Sequence, residues 1–464
     1  MRVPDDTLSN LPPPDAGNRV THPFRFPIGI DHNVDPLIAC ANALQLQEQG
    51  HSHRKLELAR KLDPSKLNRI ATICHWGRSG STLLASLLDD HPQVLALPHS
   101  TSNFLFAFFE DYAHLNLWQQ MLVYPFYSAL KAGDEGDFFL ADNSSGDFSI
   151  DRREYVAAVK ALAEVYASTL ETRPQCRKTF IQFIHAAYSI ALGKAPDASR
   201  AIIVTAQHYV NDDLASRLAS DFPGAKFIHT VRDPISTVDS WFDRRIDMAM
   251  YAWSRDHAVD LTRFDCAVAT MMDLISWECG HHGQKTNTRA VRFEDMHVAT
   301  ESLMRKLALW LGISFHECLL RSTWNGRPWV VMIRGVPTAG TNPANARRRQ
   351  NNLFRFDQVF MQALMQENFI AWGYAPKGMR FRPLLLVLMN FWLIFVPLKI
   401  ELRTLVVVIR EQLMPGIRAQ GMIVGLRVAL FLLQRRIRMV VVIAVDSFQR
   451  VTTGRAVMKL VGAD

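Results

Sequence analysis

Residues 70–88 constrain the fold of this chain more than any other segment. An apolar run, Ile70-Ala71-Thr72-Ile73-Cys74, leads into Trp76-Gly77-Arg78-Ser79-Gly80-Ser81-Thr82 and then into the helix-forming Leu83-Leu84-Ala85-Ser86-Leu87-Leu88. A strand feeding a loop of glycines and hydroxyls at a helix start turns backbone N–H groups and a positive helix end toward an anion. A second pattern supports the same architecture: the strand-like run 201–205, a helical segment ending at Phe222-Pro223-Gly224, and the strand-like run 226–231. Strand, helix, strand at that spacing is a βαβ unit and predicts a parallel sheet. A further strand, Ala290-Val291-Arg292-Phe293, precedes an apolar helix over 303–311. The expected class is α/β, a P-loop-type parallel sheet flanked by helices, with helical additions at both ends.

The loop differs from that of nucleotide hydrolases, where a lysine follows the second glycine and reaches the outer phosphates. Here Gly80 is followed by Ser81, and Arg78 precedes it. This points away from ATP chemistry and toward another phosphate-bearing donor.

With 464 residues the chain can bury a sizeable core. Its net charge is +8, but residues 380–464 hold thirteen Lys/Arg against four Asp/Glu, a balance of +9, so the remainder carries −1. Within that basic tail, residues 383–398 lack any charge, short of the roughly 17–25 residues of a spanning helix. Later apolar runs alternate with Arg403, Arg410, Arg418, Arg427 and Arg435-Arg436. A region both basic and apolar fits an anionic membrane surface better than nucleic acid, with an ordinary helical subdomain or a dimer interface as the plainer readings. Three regions follow: 1–66, a disordered start and an N-terminal helix over 36–61; 67–379, the α/β domain that carries the loop; and 380–464, a basic apolar helical region.

The six cysteines form no Cys-x-x-Cys pair, which argues against zinc ribbons and a dense disulfide framework and fits a reducing cytoplasm. The start of the chain lacks a secretory pattern, so the expected location is cytoplasmic, peripheral on the inner face of the membrane. His75, His229 and His281-His282 show no ligand-like spacing, and no metal is expected. The aromatic cluster from Phe104 to Trp118 reads as core, with part of it available to line an acceptor pocket.

A second constellation narrows the loop's role. The strand 226–231 ends in Arg232-Asp233-Pro234, and Ser240 and Arg244 follow eight and twelve positions after Arg232, one helical turn apart. A strand-end arginine with a hydroxyl and a guanidinium nearby makes a phosphate cradle. Together, Arg78-Ser79-Gly80-Ser81-Thr82, Arg232-Asp233-Pro234 with Ser240, Arg292-Phe293-Glu294-Asp295-Met296 and Leu311-Gly312 resemble the sulfotransferases that use 3′-phosphoadenosine 5′-phosphosulfate (PAPS). The Arg244 offset and the lead-in Phe222-Pro223-Gly224-Ala225-Lys226-Phe227 are most similar to the tyrosylprotein and bacterial carbohydrate branches. The resemblance covers about residues 67–374.

It implies that Gly77 to Thr82 hold the 5′-phosphosulfate, that Arg232, Ser240 and Arg244 hold the 3′-phosphate, and that Phe293 contacts adenine. Arg347 or Arg348, in the loop-like segment 333–349, would close over the nucleotide, or form a solvated basic turn. In-line sulfuryl transfer needs positioning and charge stabilisation, which Arg78 would supply, and a base for the acceptor hydroxyl. The position twenty-one residues after Arg78, acidic in the resembling branch, is His99: a general base, or a polar cap at a strand end. A lysine of that branch is replaced by Gln207, which carries no charge, with His208 as a substitute. The resulting expectation is a sulfotransferase acting on a hydroxyl of a saccharide, glycolipid or other amphipathic alcohol. The rivals are a P-loop kinase and a non-catalytic, membrane-tethered nucleotide-binding protein.

Overall fold

The computed structural model describes residues 53–75, 79–98, 101–132, 150–172, 177–208, 212–240, 287–333, 336–346, 353–375 and 458–462, with Ile38 and scattered positions between 385 and 445. Five parallel strands form the central sheet: β1 (Ile70–His75), β2 (Val94–Ala96), β3 (Ile202–His208), β4 (Lys226–Val231) and β5 (Thr288–Arg292), in the order β2-β3-β1-β4-β5. β1 is therefore central, and the chain passes to opposite sides of it, so a crevice for ligands is expected at its carboxyl end.

Strand sequences without polar alternation imply burial on both faces. Ile70 and Cys74 of β1 join one apolar cluster, while Ala71 and Ile73 join the other. The first cluster is built with helices α1 (His53–Lys61), α3 (Leu105–Asp111), α4 (Leu117–Ala132), α5 (Arg152–Val165) and α6 (Arg177–Ala191). The second includes α2 (Ser81–Leu88) and α9 (Thr300–Leu311), the latter following α8 (Phe293–Val298). α7 (Asp212–Asp221) connects β3 to β4. Between β1 and β3, the paired Thr72 and Thr205 hydroxyls lie 3.1 Å apart, which satisfies two buried polar groups within the core.

The aromatic segment belongs to this core, as its composition implied. Phe108 is fully buried and touches Tyr112, Tyr124, Tyr127 and Phe180 with ring centroids 4.9–5.3 Å apart. Pro125 lies inside α4, where it cannot donate to the Met121 carbonyl; the Tyr155 hydroxyl donates to that oxygen at 2.9 Å. A buried lysine, Lys55, caps the carboxyl end of α6 through the Ile190 and Ala191 carbonyls at 2.9 and 2.8 Å. Its charge is matched by Glu154 at 2.7 Å, and it also meets the negative end of the helix.

The expected N-terminal helix appears in its described part as α1; most of residues 1–52 lie outside the description. The loop-like reading of 333–349 needs correction. A hairpin of β8 (Val330–Ile333) and β9 (Val336–Ala339) runs into the short helix α10 (Pro343–Ala346), after a smaller hairpin of β6 (Thr323–Trp324) and β7 (Arg327–Pro328). The β-branched residues Val330, Val331, Ile333, Val336 and Thr338 outweigh the Gly and Pro punctuation that suggested a loop. α11 (Arg355–Leu364) and α12 (Gln366–Ala371) follow, and residues 458–462 return to the edge of β5, where Leu460 pairs in parallel with Ala290.

Candidate active site

Ser79 and Gly80 connect β1 to α2. Gly80 is the N-cap of α2 at φ +91°, a left-handed conformation that glycine adopts without a side-chain penalty. Space matters as well as conformation: a Cβ on Gly80 would lie 2.4 Å from Phe293 Cδ2 and 2.9 Å from Met296 Cε. The loop's backbone and the aromatic residue after β5 are thus in direct contact. Ser79 is buried, and its hydroxyl lies 2.7 Å from that of Thr230 on β4, fastening the loop to the neighbouring strand. Ser81 is buried and Thr82 half-buried in the first turn of α2. Trp76, Gly77 and Arg78 lie outside the described residues.

At the end of β4, Asp233 accepts hydrogen bonds from the Ser236 amide at 3.3 Å and the Ser236 hydroxyl at 2.6 Å. It caps the helical residues 234–240, with Pro234 at the first position. Ser240 is buried in this helical stretch, and Arg244 lies beyond the described residues. Arg232 directs its guanidinium over the Phe293 ring, Cζ to centroid 4.6 Å. Burial pushes its pKa down, opposed by the nearby carboxylates of Glu294 and Asp233. Glu294 accepts from the Asp233 amide at 3.2 Å and from the Tyr374 hydroxyl, and burial raises its pKa. An arginine set over an aromatic ring, with two carboxylates nearby, offers an oriented positive charge to an anion.

Phe293 also meets His297 edge to face, with centroids 4.5 Å apart at 80°. The Asn342 amide donates to His297 Nδ1 at 2.9 Å, linking α8 to the turn that precedes α10. Burial, with a lesser contribution from Arg232, lowers the His297 pKa to about 4, so the ring is neutral and Nδ1 accepts. The Phe293-x-x-x-His297 spacing, one helical turn, was the available sequence signal for this contact; nothing in the sequence pointed to Asn342 or Tyr374.

Gln207 is buried at the end of β3, in register with Cys74, and its Nε2 donates to the Ser102 carbonyl. Ser102 in turn exchanges hydrogen bonds with Ala206 at 2.8 and 3.0 Å. These bonds tie the turn Thr101–Phe104 to β3, so the Gln207 amide secures the segment that follows His99 and Ser100. His208 is the last residue of β3 and pairs in register with His75; its side chain, His99, Arg347 and Arg348 lie outside the description. A small cleft lined by Leu97, Pro98, Ala206 and Trp324 lies beside the ends of β2 and β3.

The structure thus brings together Ser79, Gly80, Arg232 and Phe293, with Ser81 and Thr82 in the same helix start, and seats Ser240 on the helix after Arg232. Residues 73–317 match the model of the Sulfotransferase family. No curated protein matches the chain. Among solved structures, the sulfotransferase domain from the curacin biosynthetic pathway is similar at 15% identity and a TM-score of 0.36, covering 67% of this chain and 99% of that one. The sulfotransferase domain from the Synechococcus PCC 7002 olefin synthase is similar at 19% identity and a TM-score of 0.30, covering 63% and 93%. With its family model matching more than half of its length, from β1 through α9, the chain belongs to the Sulfotransferase family.

Proposed function

We propose that this protein moves a sulfuryl group from PAPS to an acceptor hydroxyl. The observation that carries the reading is the mutual approach of Gly80, Phe293 and Arg232, which draws three separate sequence motifs to the carboxyl end of the sheet. In this reading Gly77 to Thr82 bind the 5′-phosphosulfate through backbone amides and hydroxyls. Arg232, Ser240 and Arg244 bind the 3′-phosphate, Phe293 contacts adenine, and Arg347 or Arg348 closes the site.

The reaction breaks the bond between sulfur and the bridging phosphate oxygen and forms one to the acceptor oxygen. Arg78 and the loop amides stabilise the charge that grows on the leaving phosphate. His99 takes the acceptor proton; Gln207 keeps the chain after His99 in place, and His208 is the second candidate beside the transferring group. The Arg232, Ser240 and Arg244 spacing supports a likeness to the tyrosylprotein and bacterial carbohydrate branches. The basic apolar region 380–464 supports a peripheral location at an anionic inner-leaflet surface and an amphipathic acceptor such as a glycolipid or lipid-linked saccharide. Among the described residues, no helix is long and apolar enough to cross a membrane.

The test is thermal stability with 3′-phosphoadenosine 5′-phosphate, the product nucleotide. The purified protein should gain stability, and Arg232→Ala should lose that gain; no gain in the parent protein would end the donor assignment. His99→Ala should keep the nucleotide-induced gain and lose turnover, whereas Arg78→Ala should reduce both. Mass spectrometry of host lipids and glycans with and without the gene should show one species changed by a sulfate, which identifies the acceptor.

A further inference from the structure

The chain leaves the described catalytic domain after Ala375 and rejoins it at Met458. Trp372 is fully buried, and its Nε1 donates to the Met458 carbonyl at 3.2 Å. The Ala290 amide donates to the Lys459 carbonyl and the Val461 amide to the Ala290 carbonyl, each at 2.9 Å, which adds the returning chain to the edge of β5. Met458 and Val461 are buried there. On the outgoing side, Tyr374 is bonded to Glu294, and the Arg292 guanidinium lies 4.7 Å from the centre of its ring. Both ends of the intervening segment are therefore fastened to β5 and α8, within a few residues of Phe293.

Between those ends, Met422, Leu426, Leu430, Leu433, Ile437 and Val441 are each helical and 54–81% exposed. Their steps of three and four residues are those of one helical face. Arg418 and Arg427 are helical and exposed as well, and residues 412–445 contain five arginines and no carboxylate. An apolar face of this length left in water marks an interaction surface. Its charge selects the occupant. A second copy of the chain would set one arginine-rich, acid-free surface against another, whereas an anionic bilayer takes the apolar side chains into its interface and the guanidinium groups into its headgroups.

We propose that the face carrying Met422, Leu426, Leu430, Leu433, Ile437 and Val441 docks onto an anionic lipid bilayer. Because both ends of the segment are fastened to β5 and α8, this surface is attached to the nucleotide end of the sheet at two points. It rests on the donor-site reading only for what that attachment brings to the membrane, namely a site able to sulfate a bilayer-resident alcohol.

The experiment is sedimentation of the full chain with vesicles of phosphatidylcholine alone or mixed with phosphatidylglycerol, at low and high salt. The parent protein should pellet with the anionic vesicles and be released by salt. Leu426→Glu combined with Leu433→Glu, both at exposed positions, should reduce the bound fraction about tenfold or more. The stability gain with 3′-phosphoadenosine 5′-phosphate, measured on the same samples, should be unchanged by that double substitution. Equal pelleting of parent and variant, or no pelleting of either, overturns the proposal. So does a dimer that the double substitution dissociates while vesicles bind neither form. Vesicle binding without a nucleotide effect would instead count against the donor assignment alone.

Discussion

Arg232 and Phe293, sixty-one residues apart in sequence, form one unit: the guanidinium carbon lies 4.6 Å from the ring centroid. The arginine ends β4 and the phenylalanine follows β5, and the parallel register that pairs Val231 with Arg292 brings them level. In the proposed site one supplies charge to the 3′-phosphate and the other a face for the base. Phe293→Ala should weaken 3′-phosphoadenosine 5′-phosphate binding about 5- to 150-fold, the range of base–aromatic stacking. Calorimetric titration checks this, and an unchanged affinity would remove Phe293 from the site.

Gly80→Ala should be among the most damaging small substitutions in the protein. It adds a Cβ at φ +91° and 2.4 Å from a Phe293 ring carbon, which must move. A cost of about 1–3 kcal/mol from the backbone conformation alone is expected, with the clash added. Pairing it with Phe293→Leu should recover part of the stability by relieving the ring contact. Denaturant melts of the single and double variants measure the coupling.

His297→Asn and His297→Gln separate the two ring nitrogens. An asparagine side chain places an acceptor near the position of Nδ1 and should keep the Asn342 amide bonded; glutamine reaches toward Nε2 and should not. If this bond holds α10 and the chain entering Arg347 and Arg348 beside α8, His297→Gln should raise the KM for PAPS several-fold at nearly constant kcat, with His297→Asn close to the parent. Equal behaviour of the two variants would reduce His297 to a packing role.

Stability should fall with acid in a defined window. His185 and His297 both have pKa values lowered by burial from 6.5 to about 4. Below pH 6.5 the unfolded chain takes up protons that the folded chain refuses, so their contribution is full above 6.5 and is lost as pH falls toward 4. Asp89 and Glu294, raised by burial, act in the opposite sense, so the informative quantity is a difference between variants. His185 Nδ1 lies 2.7 Å from the Ile181 carbonyl oxygen in the core. His185→Gln should flatten the decline between pH 6.5 and 4 in urea-melt midpoints, and an unaltered slope would contradict the buried neutral state.

Much of the sheet was legible because its signals are local. The 70–74 run with its glycine loop, and the strand ending in Arg232-Asp233-Pro234, appear as β1, the start of α2, and β4 with the capped helical residues after it. Residues 333–349 were less legible, since Gly and Pro mark turns inside a hairpin as readily as they mark a loop. Gln207 shows a different gap. Its identity suggested a weakened site, while its amide is used to hold the Ser102 turn, a partner 105 residues away.

By itself the sequence determined in what order the strands, helices and motifs occur, and it offered residue types whose chemistry suits an anion. Those properties follow from backbone preference and side-chain chemistry within a few neighbours. Tertiary structure alone decided that Phe293 presses on Gly80, that Tyr374 braces Glu294 beside Arg232, and that Leu460 closes the edge of β5. The reason is physical: strand order and packing against both faces of the sheet set distances between residues far apart in the chain, and no local preference encodes those distances.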